Sequence, residues 1–183
     1  MVILGISGSL RQGSFNTRLL TEAANELPDG VEFRLFDGLG EVPPYNEDDD
    51  HDSPPEAVVR LRDELSSVDA ILFATPEYNF SVPGQLKNAI DWASRPAGKG
   101  ALRFVPVGVI GSSTGAYGAV WAQAELRKIL GSCGARVVEG EVALGHAKQA
   151  FESETPITNE QREQLRALLG ELVAVAERRA KAA

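Results

Sequence analysis

Apolar and polar positions change period along this chain in a regular order. Short apolar runs alternate with longer stretches whose apolar residues recur every three or four positions. The run Val2–Ile6 predicts a strand, and the stretch from Phe15 to Leu27 predicts a helix. Val31–Phe36 alternates Val31, Phe33 and Leu35 with Glu32 and Arg34, the pattern of an edge strand with one wet face. A long polar loop follows, Asp37–Asp52. Ser53-Pro54-Pro55-Glu56 then opens a helix, with Ser53 as the expected N-cap, a proline at the first position and a capping-box glutamate. Val58, Leu61 and Leu65 fall on one face of that helix. Ala70–Ala74 predicts a third strand, and Leu86, Ala89, Ile90 and Ala93 give the next helix its apolar stripe. Phe104–Ile110 predicts a fourth strand, followed by a helix with Ala122, Leu126, Ile129 and Leu130 on one side. A fifth strand is expected near Ala135–Val138, extended by Val142–Leu144. Thr158 with Gln161 forms a capping box for the last helix, whose stripe is Leu165, Leu168, Leu169, Leu172 and Ala176.

Five strands alternating with five helices define an α/β chain with a doubly wound parallel sheet and helices on both faces. Right-handed crossovers and the half-polar second strand favour strand order 2-1-3-4-5, the flavodoxin-like arrangement. In that order the winding reverses between strands one and three, and ligands bind beyond the carboxyl ends of such strands. No repeat or linker interrupts the pattern, so residues 1–183 are expected to form a single domain.

Charge and composition narrow the partners. A net charge of −8 argues against nucleic acid and against an anionic membrane surface, and no apolar run is long enough to span a bilayer. A phosphate ligand stays compatible, because backbone N–H groups and one arginine outweigh a distant field inside a desolvated loop. The chain enters strand sequence at Val2 with no basic targeting region, so a cytoplasmic location is expected. Cys133 is the one cysteine, which leaves no internal disulfide or multi-cysteine metal cluster and reads as an inert thiol. The acidic run Glu47–Asp52 reads as a solvated loop, since six consecutive residues cannot all face one ion. His51 and His146 have no metal-ligand spacing and are assigned no role.

Three polar loops at the ends of strands carry the candidate chemistry. In the first, Gly8 and Gly13 give room for close approach, Ser9, Ser14, Asn16 and Thr17 offer donors, and Arg11 offers charge. The helix that follows adds free N–H groups and the positive end of its dipole. The alternative is an ordinary strand-to-helix turn with Ser14 as its N-cap. Neither of the familiar glycine-rich nucleotide signatures is present. In the second loop, Pro76 and Pro83-Gly84 stiffen a segment that carries Glu77, Tyr78, Asn79 and Ser81. Backbone groups held this way can read the donor–acceptor edge of a planar heterocycle; the alternative packs Tyr78 into the core. The third loop, Gly111–Gly118, contributes the hydroxyls of Ser112 and Ser113, Gly115, and Tyr117, which either flanks a ring or sits on the surface. Trp92 and Trp121 read as packing or subunit-contact residues.

Gly8-Ser9-Leu10-Arg11 with Ser14 and Asn16, then Pro76-Glu77-Tyr78-Asn79 with Ser81, Pro83-Gly84, Leu86-Lys87-Asn88-Ala89 and Asp91-Trp92, resembles the NADPH-dependent FMN reductase family. That family has a flavodoxin-like fold and includes bacterial quinone, chromate and azo-dye reductases. The resemblance implies FMN bound by Ser9, Leu10, Arg11, Ser14, Phe15 and Asn16 at its phosphate. It implies Pro76, Glu77, Tyr78 and Asn79 at the ring, flanked by Ser112, Ser113 and Gly115. It further implies hydride passed from NADPH or NADH through the flavin to a quinone or similar small-molecule acceptor, with no side chain serving as general base. The catalytic residue set is therefore empty. A homodimer or homotetramer is the implied assembly, with Ala89–Ala93 and Trp92 or Trp121 as its expected contacts. One departure is Gly118-Ala119, where many relatives resembling this chain carry a glycine pair. A flavin-binding electron carrier without nicotinamide turnover, and a site for some other phosphorylated ligand, are the competing readings.

Overall fold

Hydrophobic alternation along β3 (Ala70–Thr75) organises the molecule: Ala70, Leu72 and Ala74 face one helical layer, and Ile71 and Phe73 face the other. The computed structural model describes residues 1–182. Around β3 lie β1 (Val2–Ser7), β2 (Glu32–Phe36) and β4 (Pro106–Ser112), with two short strands, β5 (Arg136–Val137) and β6 (Ala143–Leu144). The order is β2-β1-β3-β4-β5, every pair parallel, with β6 also on β4. This is the expected flavodoxin-like order. The fifth strand comes as two pieces on one edge: β5 pairs with Pro106 and Val107, and β6 pairs with Gly111 and Ser112. Between them the charged Glu139-Gly140-Glu141 arches into solvent.

Helices α2 (Glu56–Ser66), α3 (Gly84–Ala93) and α4 (Val120–Ser132) cover one face of the sheet. Helices α1 (Phe15–Ala24), α5 (Ala147–Glu152) and α6 (Asn159–Ala182) cover the other. The capping box of α6 forms as its sequence requires, with the Gln161 amide N–H donating to Thr158 Oγ1 at 3.2 Å and the Thr158 N–H to Gln161 Oε1 at 3.0 Å.

Local departures have local causes. Ser53 does not cap α2: Pro55 holds the extended cap conformation, and its carbonyl accepts from the N–H groups of Val58 and Val59. Strand β4 starts two residues later than its apolar run, because Phe104 sits in a left-handed turn (φ 64°) with its N–H on Gly134 O. Helix α1 stops at Ala24, and Glu26 and Leu27 continue it only as tighter turns. The six-residue α5 was too short to show a helical period.

The long loop after β2 is fastened to α3. Gln85 Nε2 donates to the carbonyls of Leu39 and Val42 at 2.7 and 2.8 Å. Asn88 donates to Pro43 O at 2.8 Å and accepts from the Tyr45 N–H at 2.7 Å. Trp92, fully buried, also donates its indole N–H to Pro43 O, at 2.9 Å. A loop lying on the core needs its backbone groups satisfied, and α3 supplies the partners. Within the acidic run, Asp50 pairs with Arg62 at 2.8 Å, and Arg62 donates onward to Trp92 O.

Candidate functional site

The site grows from the carboxyl ends of β1, β3 and β4. Gly8 leaves β1 with its N–H on Ala74 O at 2.8 Å, stitching the first loop to the second. A Cβ on Gly8 would stand 2.9 Å from the Leu86 side chain and 3.2 Å from the Pro76 ring, so glycine lets the two loops meet without displacing either side chain. Asn16, buried at the start of α1, then joins the first loop to the third. Its Nδ2 donates to Ser112 O at 3.1 Å and its Oδ1 accepts from the Ser112 N–H at 2.9 Å. Both ends of the amide are thereby engaged, so Asn16 acts through spacing and its main chain rather than as a free side-chain donor.

These contacts frame a cleft of about 530 Å³. From the first loop it is lined by Ser9, Arg11, Ser14, Phe15 and Asn16; from the second, by Pro76, Glu77 and Tyr78; from the third, by Ser112 and Ser113. Leu10, Asn79 and Gly115 stand outside it. Leu10 is exposed beside Gly40, Asn79 sits at the tip of a turn, and the Gly115 carbonyl accepts from the His146 N–H at 2.8 Å. Arg18, Thr114, Lys148 and Glu152 also line the cleft and were not singled out in the sequence. Thr114 was legible as part of a hydroxyl-rich loop. Arg18 lies one turn into α1 from Ser14, whereas Lys148 and Glu152 face the cleft only because α5 docks on α1, which no local pattern announces. A larger open groove, about 750 Å³, runs along α2, but its arginines pair with the acids around them: Arg60 with Asp37 and Glu41, Arg34 with Glu64.

Ser14 Oγ accepts from the Thr17 N–H at 3.3 Å, the N-cap of α1. The amides of Phe15 and Asn16 have no partner among the described residues, and both residues line the cleft at the positive end of the helix. Ser112 is 1% exposed, and its hydroxyl is one of the buried polar atoms left without any partner among the described residues. A buried, unpaired hydroxyl costs about 1–3 kcal/mol unless something completes it. The cleft beside it gathers serine hydroxyls, the start of α1 and basic side chains, a donor set that fits a ligand rich in oxygen and bearing an anion. Pro76 and Tyr78 supply flat apolar surface at the other end. Phosphate, polyol and planar ring are the parts of a flavin mononucleotide, and the donor set fits them.

The second loop closes as a tight turn. Tyr78 and Ser81 exchange backbone hydrogen bonds at 3.0 and 3.1 Å, and Asn79 and Phe80 both take left-handed φ, 54° and 62°. Left-handed backbone at an aromatic residue is strained. Tyr78 is 53% exposed, so it is not a core residue. Glu77 Oε2 accepts from the N–H groups of Trp121 and Ala122, each at 3.1 Å. It thus caps α4 from a distant loop, in place of Ala119, which enters the helix at φ 63° without a cap of its own. The left-handed conformation at Ala119 explains why a glycine is comfortable there. Tyr117 and Trp121 lie outside the cleft, edge to face at 5.1 Å, and Phe80 meets Trp121 at 5.2 Å. Cys133 ends α4 half-buried, and burial pushes its thiol pKa up, away from nucleophilic reactivity.

A doubly wound sheet with a mononucleotide-sized cleft at its reversal point defines a flavodoxin-like protein. Residues 1–149 match the NADPH-dependent FMN reductase family, and the chain belongs to it. It is 42% identical to an NAD(P)H-dependent FMN reductase of Pseudomonas aeruginosa, over 89% of this chain and 88% of that one. It is 38% identical to a quinone reductase of Pseudomonas putida, over 90% and 88%. Among solved structures it is similar to FerB, a flavoenzyme NAD(P)H:(acceptor) oxidoreductase from Paracoccus denitrificans, with a TM-score of 0.79, 32% identity and 97% of each chain covered.

Proposed function

We propose that this chain is an FMN-dependent NAD(P)H oxidoreductase that delivers two electrons to quinones or similar small acceptors. The observation that carries the reading is the cleft at the sheet's reversal point, where the loops after β1, β3 and β4 bring hydroxyls, basic side chains and the start of α1 together. Bound there, FMN would supply the redox chemistry, accepting hydride from a reduced nicotinamide and passing the electrons on. The protein's own part is binding and alignment. Free amides at the start of α1, with the hydroxyls around them, would hold the phosphate. The Asn16–Ser112 pair fixes the spacing of the first and third loops, and Glu77 fixes the second loop against α4. The main-chain groups of Glu77, between Pro76 and the closed Tyr78–Ser81 turn, would hold the ring edge, with the exposed Tyr78 at the mouth. None of these side chains needs to move a proton for the chemistry to proceed.

The same reading includes self-association as a homodimer or homotetramer. Phe80, Tyr117 and Trp121 form an exposed aromatic patch beside the second loop, whereas Trp92 is buried and serves the interior of its own chain. It also places the enzyme in the cytoplasm, where reduced nicotinamides are available. No described helix is long and apolar enough to cross a membrane.

Purified protein incubated with FMN and freed of excess should be yellow and should bleach anaerobically with NADPH or NADH. Colour should return on adding a benzoquinone. A colourless protein after this treatment overturns the flavin assignment; a yellow protein that nicotinamides do not bleach leaves the carrier reading in its place.

A further inference from the structure

Lys148 is the one cation lining the cleft with neither an ion pair nor a hydrogen bond among the described residues. The two arginines there are otherwise engaged. Arg11 donates to Gly13 O at 2.9 Å and lies 4.8 Å over the Phe15 ring. Arg18 donates to Phe151 O at 2.9 Å and lies 4.3 Å over the Phe151 ring. The helix that carries Lys148 is fastened at both ends. At its start, the N–H groups of His146 and Ala147 donate to Gly115 O and Ser113 O, at 2.8 and 3.0 Å. At its end, Phe151 stacks on Phe15 with centroids 5.7 Å apart and planes 4° from parallel. Helix α5 therefore bridges the third loop and the opening of α1, and Lys148 stands between them on the cleft side.

A phosphate monoester carries close to two negative charges at neutral pH. The positive end of a helix offers only about half a charge, and both arginines are held by carbonyls and rings. An ammonium on a flexible stem, free of partners, completes the balance. We propose that Lys148 binds the terminal phosphate of the flavin, working from α5 opposite the start of α1, and so makes the cleft favour FMN over riboflavin. The proposal rests on the flavin reading above. Glu152, one turn further along α5, also lines the cleft without pairing to Lys148, and its carboxylate disfavours an anion at that end.

The full chain titrated with FMN and with riboflavin, read by quenching of flavin fluorescence, tests this. Lys148→Gln should weaken FMN roughly tenfold and leave riboflavin unchanged. It should also flatten the salt dependence of FMN binding. Lys148→Arg should restore most of the loss, and Glu152→Gln should tighten FMN a few-fold with no effect on riboflavin. Equal weakening of both flavins, or of neither, overturns the proposal. So does an unchanged FMN affinity with a raised KM for NADPH but not for NADH, which would give Lys148 to the nicotinamide's extra phosphate. Wild-type protein that binds neither flavin would instead defeat the flavin reading itself.

Discussion

The three loops at the sheet's carboxyl edge and the polar face of α3 look alike in the sequence. Both carry amides, charged groups and an aromatic at close spacing, and both belong to the residues that mark the family. In the folded chain they do opposite things. Gln85, Asn88 and Trp92 turn every donor inward onto the backbone of the loop after β2. The edge loops close only some of their groups, Asn16 and Glu77 among them, and leave the Ser112 hydroxyl and two α1 amides without partners among the described residues, around a cleft that Lys148 of α5 also lines. A satisfied polar motif is architecture, and an unsatisfied one is a request for a ligand. The contrast explains how one family signature holds residues for folding and residues for binding side by side.

Trp92→Ala gives the hardest test of the architectural half. Loss of a fully buried indole and its hydrogen bond should cost about 3–5 kcal/mol in denaturant unfolding. Flavin affinity of the protein that remains folded should hold within a few-fold. A cost under about 1 kcal/mol would mean that α3 does not anchor the loop as described.

Asn88→Ala and Asn16→Ala remove equivalent two-bond clamps from the two regions. Each should lower stability by roughly 1–3 kcal/mol. Only Asn16→Ala should also weaken FMN, since it alone sets the spacing between first and third loops. If both variants weaken FMN alike, the division between the regions fails.

Ser112→Ala should separate the two halves by sign. Without flavin it should be neutral or stabilising by about 1 kcal/mol, because it removes an unpaired buried hydroxyl. With flavin it should bind less tightly, by a few-fold to tenfold. Destabilisation of the flavin-free protein would show that the hydroxyl already has a partner.

Arg11→Ala should have the smallest effect on folding, within about 0.5 kcal/mol, because the side chain is exposed. FMN affinity should fall by a few-fold, less than a buried arginine would cause, since solvent screens it and Gly13 O already holds it. A titration with no change removes Arg11 from the phosphate site.

Strand order, the two helical layers and the position of the cleft follow from the hydrophobic pattern along the chain. Periods of two and three to four select strand and helix locally, and right-handed crossovers leave few ways to assemble them. The loops were recognisable for the same reason: hydroxyls, glycines and prolines limit a backbone over a few residues. What neighbouring elements share could not be read this way. Ser53 lost its cap to a proline two positions on, Trp92 went to the interior, and α5 brought Lys148 and Glu152 to a site far from the first two loops in sequence. Whether a polar group ends up partnered depends on atoms contributed by residues far along the chain, 96 positions away for Asn16 and Ser112 and 133 for Arg18 and Phe151. Local composition decides which groups can form hydrogen bonds; only the packed chain decides which of them are left for a ligand.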